Sequence, residues 1–390
     1  MPLAPLNCCT RCFQSKEVIQ VIKAEGHRGP CDFCKHEPVE VIPAPKLASL
    51  FEPLFFLFAP QAGSVAPSDR SSADLLSLAD LLGHWEIFST SLPLAAQNAI
   101  LDEIRFGKLG PIDRSNEPSS AGNWDYKPAT KGEDVWSAFV DYIKHKRRFV
   151  FSQDGHSVVA YPADWLPEAL ARTDLFVEPE LPLFRARVGH HMDFSSGPGP
   201  LPPHEMGSPP PVMATRGRAN PVGISYLYVA EQEDTAIAEI RPLVSSWVTV
   251  CTFRAKKRLR VADISQRRSI DTPFGHRDLL TLVRQTGLLN VLGHELSRPV
   301  SPEDSELAYI PTQYLAEVIL EAGYDGIRYR SSLRKGGTNI VFFDPRSLEV
   351  DPVTRLVSID EVAVKYREMT RSHITSLSSL LSSPYSPLSP

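Results

Sequence analysis

The sequence has no long apolar run. Its greasiest patch, Leu54 to Ala59, falls far short of the roughly 20 residues a membrane span needs. The opening MPLAPLNCC has no charged segment followed by an apolar core, which predicts no secretory leader and a soluble cytoplasmic protein. Charge of one sign is also missing. A net charge of −5 over 390 residues gives no global pull toward nucleic acid or acidic membranes. No GxxxxGK[ST] loop occurs, and no GxGxxG follows a strand-like run, so kinase and dinucleotide-dehydrogenase readings lose their usual support. Lys335-Gly336-Gly337-Thr338 is only a loop of small residues. Cysteine is scarce after residue 34, where the single Cys251 reads as a small core residue in a strand.

Five of the six cysteines lie in the first 34 residues. In a reducing compartment, such clustering favours metal over disulfides. Cys9-x-x-Cys12 and Cys31-x-x-Cys34 stand eighteen residues apart. Each CxxC turn can place two thiolates on one tetrahedral Zn²⁺, and two turns close the site with no position open for chemistry. A structural, zinc-ribbon-like module over 1–46 follows, with Cys9, Cys12, Cys31 and Cys34 as ligands. Cys8-x3-Cys12 is an off-register alternative, and His27 and His36 are nearby but not needed. The module is charge-balanced, which favours docking or scaffolding over nucleic-acid binding.

Proline, at 35 residues, predicts long connections. Residues 60–72 read as a linker. From 72 to about 175 the pattern is helical. Ser72 is a candidate cap for a helix carrying Leu75, Leu78, Leu82, Trp85 and Phe88, and further helices are expected over Ala95–Arg105 and Glu133–Arg148. Beyond 180 the texture changes. Leu183–Val188, Ile224–Ala230, Trp247–Phe253, Gly326–Tyr329 and Asn339–Phe343 read as strands, and Arg277–Leu292 and Thr312–Ala322 as helices. They do not alternate regularly, so an α+β fold with a mixed sheet is expected over 180–350. Residues 194–211 read as an irregular excursion. Residues 374–390, rich in Ser, Leu and Pro and without charge, read as a disordered tail.

The densest chemistry lies between Met206 and Pro242. Gly217-Arg218-Ala219-Asn220-Pro221-x-Gly223 is a turn-rich loop that delivers a guanidinium before an apolar strand carrying Tyr228. Thr235-Ala236-Ile237-Ala238-Glu239 reads as a short helix, and Tyr329-Arg330-Ser331-Ser332 lies far downstream. This ordered set resembles the RES family, named for its Arg, Glu and Ser. The likeness rests on the GRxN-type loop, a tyrosine ten residues on, the TAxxE element, the YxS element and a first strand opening Phe184-Arg185-Ala186-Arg187. It covers about 183–345. The upstream helices and CxxC pairs look like the HEPN-type extension of some RES proteins.

The resemblance implies an ADP-ribosyltransferase-like fold, NAD as substrate and a toxin of a type II toxin–antitoxin system, with a separate antitoxin as partner. Glu239 would stabilise an oxocarbenium-like ribose, Arg218 would grip the pyrophosphate, Tyr228 would stack on a ring, and Ser331 would bond the ribose or carboxamide. Water, phosphate or a protein side chain as acceptor would make the chain a glycohydrolase, a phosphorylase or a transferase. Tyr226 competes with Tyr228, and Ser332 with Ser331. Glu239 has Arg241 and Arg187 as alternative ion-pair partners, and Arg185 reads as either a second phosphate contact or a partner for Glu239. The HEPN ribonuclease pattern Arg-x4–6-His is fitted by Arg185–His190 and Arg367–His373, neither of which lies in the helical segment where it belongs. The competing class is a catalytically silent zinc-containing interaction or nucleic-acid-binding protein.

Overall fold

The strands with the most apolar sequence stand at the centre of the main sheet, as burial on both faces requires. The computed structural model describes residues 4–61, 76–106, 117–127, 132–149, 162–193, 197–298 and 306–359. Ser72, most of the 60–72 linker, Arg367, His373 and the 374–390 tail lie outside the described residues. The chain divides into two compact units, one of residues 1–134 and 269–287, the other of 135–268 and 288–390.

In the first unit, β1 (Asn7–Cys9), β2 (His27–Gly29) and β3 (Val39–Pro43) form a three-stranded antiparallel sheet in the order β1-β3-β2. Helix α1 (Lys16–Glu25) begins where the Ser15 hydroxyl accepts from the Val18 N–H, which satisfies one of the free donors of its first turn. It buries Val18 and Ile22. Helix α2 (Ala48–Phe55), strand β4 (Phe58–Pro60), α3 (Leu78–Leu82), α4 (Leu94–Phe106) and β5 (Trp124–Tyr126) complete the unit. Phe51, Leu54, Leu82, Ile100 and Leu101 share one core with Phe274 and Leu279 of the returning segment.

The long helix expected from Ser72 is replaced by a short one. Ser77 caps α3 through a capping box with Asp80, so the helix starts at Leu78. A 3₁₀ turn over Gly83–Trp85 follows, and Glu86 in the left-handed conformation ends it. Phe88 instead forms an isolated bridge with Phe13 and stacks on its ring at 5.3 Å.

Helix α5 (Gly132–His145) spans the boundary between the units, and the second unit continues with α6 (Pro162–Leu170), β6 (Asp174–Val177), β7 (Leu183–Val188), β8 (His191–Asp193), β9 (Gly197–Gly199), β10 (Leu227–Ala230), α7 (Glu233–Glu239), β11 (Trp247–Ala255) and β12 (Leu259–Asp263). Then come α8 (Leu279–Ser297), which also spans the boundary, α9 (Ile310–Glu321), β13 (Gly326–Arg330), β14 (Thr338–Phe342) and β15 (Leu348–Ser358). Eight strands form one sheet in the order β15-β11-β7-β10-β14-β13-β12-β6. It is mixed, because β12 and β13 run parallel while the other pairs are antiparallel. The fold is therefore α and β together around a large mixed sheet, as expected. Every residue of β14 is buried, whereas β15, at the edge, buries only Leu348 and leaves Val353 at 78% exposure.

Successive strand residues face opposite ways. Val341 and Ile327 pack with Leu292, Leu315 and Ile319 from α8 and α9. Ile340 and Phe342 face the other way, with Leu183, Leu227, Phe253 and Met206. Gly326 is required by closeness, since a Cβ there would strike the Val341 carbonyl across the β13–β14 ladder. Among the described residues no helix is long and apolar enough to cross a membrane.

Phe342 has no exposed surface, and its truncation leaves a cavity. Phe342→Ala is expected to lower unfolding free energy by roughly 3–5 kcal/mol in a denaturant titration. Val353→Ala on the edge strand should change it by less than about 0.5 kcal/mol.

Candidate functional site

The register of three central strands sets out the site. Tyr228 on β10 is opposite Val341 on β14, which is opposite Ile327 on β13. Two residues along, Ala230 is opposite Asn339, which is opposite Tyr329. With a side-chain period of two, Tyr228, Asn339 and Tyr329 share one face. Helix α7 packs on that same face through Ala236 and Ile237 and ends at Glu239.

The Glu239 carboxylate accepts from the Ser331 hydroxyl at 2.6 Å and from the Asn339 amide at 2.6 Å, both at Oε1. Ser331 follows β13 and is buried. Its oxygen accepts from the Leu333 and Arg334 backbone N–H groups at 3.1 and 3.2 Å, so its single proton is directed to Glu239. Of the two candidate serines, Ser331 bonds Glu239 and Ser332 accepts from Arg218 at 3.3 Å. Glu239 pairs with neither Arg187, which donates to the Glu205 carbonyl, nor Arg241.

Arg218 is held from both sides. Nη1 donates to the Leu296 carbonyl at the end of α8 at 2.5 Å, and Nη2 to Ser332. The loop that carries it is fastened to Tyr228. The Tyr228 hydroxyl accepts from the Ala219 N–H at 3.1 Å and donates to Asn220 Oδ1 at 2.7 Å. The Asn220 amide spans the loop, donating to the Thr215 and Ile224 carbonyls at 3.0 and 2.8 Å. Gln313 of α9 donates to the Gly217 and Asn220 carbonyls. A Cβ at Gly217 would press on Asn220 Oδ1 and come within 2.7 Å of the Tyr228 hydroxyl, so only glycine fits there. Burial pushes the Tyr228 phenol well above its usual range, with the Arg218 charge pulling the other way. Tyr329 is pushed up further by burial and by the nearby Glu239 and Tyr228, again against Arg218. Both phenols therefore stay protonated near neutral pH.

Arg218, Tyr228, Glu239 and Ser331 thus converge, together with Tyr329 and Asn339. Tyr226, the alternative to Tyr228, lies with its ring against Phe343 at 5.1 Å. Arg185 does not join the group. Its neighbour Phe184 is opposite Ala230, so Arg185 stands on the other face of the sheet, where it donates to the Tyr228 carbonyl at 2.8 Å. Burial lowers its pKa.

That other face carries an ion network with no counterpart among the sequence candidates. Arg328 donates to Glu231 at 2.7 and 2.8 Å, to Asp263 at 3.2 Å and to Ser265 at 2.7 Å. Thr338 donates to Glu231 Oε2 as well. Burial works against the Glu231 charge, but hydrogen bonds from Arg328 and Thr338 more than offset it and keep its carboxyl below the usual range. The network ties β10, β12, β13 and β14 together at the level of the site.

Sequence reasoning also missed Asn339 and Gln313. Asn339 had a signal: it is a lone amide entering the apolar run Ile340-Val341-Phe342, where a buried polar group requires a partner. Gln313 has no comparable signal, because it reads as an ordinary polar helix residue.

In the first unit, the four cysteine sulfurs of Cys9, Cys12, Cys31 and Cys34 all lie within 4.8 Å of one another. Cys9–Cys12, Cys9–Cys34 and Cys12–Cys31 are 3.8, 3.4 and 3.6 Å apart. A tetrahedral ion with sulfur at about 2.3 Å has sulfur–sulfur edges of about 3.8 Å, so the cluster has the dimensions of a metal site. Cys8, the off-register alternative, points away and donates to the Ile42 carbonyl at 3.7 Å. Burial pushes its thiol far up.

Residues 182–363 match the RES domain. No curated protein matches the chain. Among solved structures, a chain from the crystal structure of the M. tuberculosis MbcT-MbcA toxin-antitoxin complex is similar at a TM-score of 0.32 and 12% identity, over 53% of this chain and 98% of that chain.

Tyr228→Phe removes the hydroxyl that pairs Ala219 N–H with Asn220. Leaving buried groups unpaired should cost about 1–3 kcal/mol in unfolding free energy. Amide exchange at Ala219 is expected to accelerate in the same variant, with exchange in β11 unchanged.

Proposed function

We propose that residues 180–350 consume NAD by breaking the bond between nicotinamide and ribose. The observation that carries this reading is the convergence of Arg218, Glu239 and Ser331 from three distant segments onto one face of the sheet, inside the stretch that matches the RES domain. Nicotinamide leaves as a neutral pyridine, so the step asks for little general acid. The species that needs help is the cationic, oxocarbenium-like ribose, which a preorganised carboxylate stabilises. Glu239 has that role. Arg218 spends two N–H donors on Leu296 and Ser332, which leaves part of its five-donor fork to pair with pyrophosphate oxygens.

The remaining residues act through these two. Ser331 donates its hydrogen bond to Glu239 and so orients the carboxylate beside the sugar. Tyr228 anchors the Arg218 loop through its hydroxyl. Arg185, on the opposite face, supports the β7–β10 backbone.

Purified protein incubated with NAD should release nicotinamide, and Glu239→Ala should reduce kcat by at least about 100-fold. Equal rates in the two proteins would remove Glu239 from the chemistry. Following the ADP-ribose portion of the product in water, with added phosphate and with added protein separates glycohydrolase, phosphorylase and transferase. Arg218→Lys keeps the charge but loses the planar fork, and is expected to raise KM more than it lowers kcat.

The four-cysteine cluster holds one structural Zn²⁺ in this reading. Four thiolates satisfy a tetrahedral ion and leave no position for water or substrate. Elemental analysis of purified protein should find about one zinc per chain. Cys31→Ser should lose the metal and lower the unfolding temperature, and a metal content well below one per chain in the unmodified protein would defeat the assignment.

A further inference from the structure

We infer that Asn339 is a positioning residue that commits one oxygen of Glu239 and so presents the other to the substrate. The inference rests on the NAD-consuming reading of this site. Glu239 is the last residue of α7, where the carbonyl-rich end of a helix disfavours negative charge. A glutamate side chain also has freely rotating bonds to immobilise. Both demands fall on the two donors that reach Oε1, Ser331 and Asn339. They differ in how they are held. Ser331 lies just beyond the end of β13, in the segment leading to Gly337. Asn339 is 3% exposed on the central strand β14, paired on one side with Ala230 and on the other with Tyr329. It is the rigid reference against which the carboxylate is set.

With both donors on Oε1, Oε2 has no donor among the described residues. That oxygen keeps its lone pairs for the ribose. Tyr329 of β13 feels the Glu239 charge and interacts in turn with Tyr228 and Arg218, Arg334 of the Ser331 turn pairs with Asp234 of α7, and β14 contributes only the neutral amide. Replacing that amide by a carboxyl therefore introduces a single new titrating group beside Glu239.

The test compares wild type, Glu239→Ala, Asn339→Leu and Asn339→Asp in nicotinamide release from NAD across pH, with thermal unfolding measured for each. Asn339→Leu keeps the size and removes the donor. It should lower kcat by roughly 10- to 100-fold, the scale of a misplaced catalytic group, with KM within about twofold. Asn339→Asp should lose as much at about pH 8, where two carboxylates face each other. It should recover toward about pH 5 once the wild-type profile is divided out, because a protonated carboxyl donates to Oε1 as the amide does and takes up its proton above the usual range beside a like charge. If Asn339→Leu unfolds, the isosteric Asp variant carries the test alone. A kcat within about twofold of wild type in either variant at pH 8 overturns the inference, as does a loss confined to KM or an Asp variant whose deficit ignores pH. If wild type and Glu239→Ala release nicotinamide equally, the NAD-consuming reading itself fails, whatever the Asn339 variants do.

Discussion

A carboxylate at the end of a helix, half-buried against a sheet, is stable only if donors are brought to it. In this chain the donors come from strands far away in sequence, Ser331 after β13 and Asn339 on β14. Their arrival depends on the β10–β14–β13 register, since a shift of one residue would turn Asn339 and Tyr329 to the other face. The register is enforced by close packing at Gly326 and by the complete burial of β14. It is enforced again on the opposite face by the Arg328 network. One sheet thus carries two polar systems. One is closed on itself and bonded throughout; the other leaves an arginine fork and a carboxylate oxygen available.

The Arg218 loop obeys a similar logic with different parts. A loop cannot hold a guanidinium still by backbone bonding alone. Here, one phenol, one amide and one glutamine side chain supply the hydrogen bonds a regular element would have made. Gly217 is the space this arrangement needs. Side-chain hydrogen bonds thus hold the loop in place, which suits chemistry whose main requirement is fixed electrostatics.

Much of this architecture was legible in the residues. Leu183–Val188, Trp247 onward and the late strands announced themselves by β-branched and aromatic content. The paired CxxC turns specified a cluster whose sulfurs do meet. What escaped was set by tertiary choices. Ile224–Tyr226 read as strand, yet the Asn220 amide takes the Ile224 carbonyl into the loop, so β10 starts only at Leu227. The helix expected from Ser72 yielded to the capping box at Ser77, a local signal overlooked because the leucine periodicity runs through it. Arg185 sits one residue from Phe184, and strand parity alone sends it to the far face. Parity becomes decisive only when the neighbouring strands are known.

The first unit is assembled from two stretches of chain, 1–134 and 269–287. Phe274 sits edge-on to Phe51 at 5.2 Å, and the Trp85 indole donates to the Ile270 carbonyl at 3.0 Å. The amino-terminal region is therefore not a detachable prefix. Cutting the chain after residue 134 would leave behind a splinter whose Phe274 and Leu279 had been made for partners no longer there, bare to water and prone to stick. Shedding that region takes two cuts rather than one, because the core of the first unit is closed by residues supplied from far along the chain.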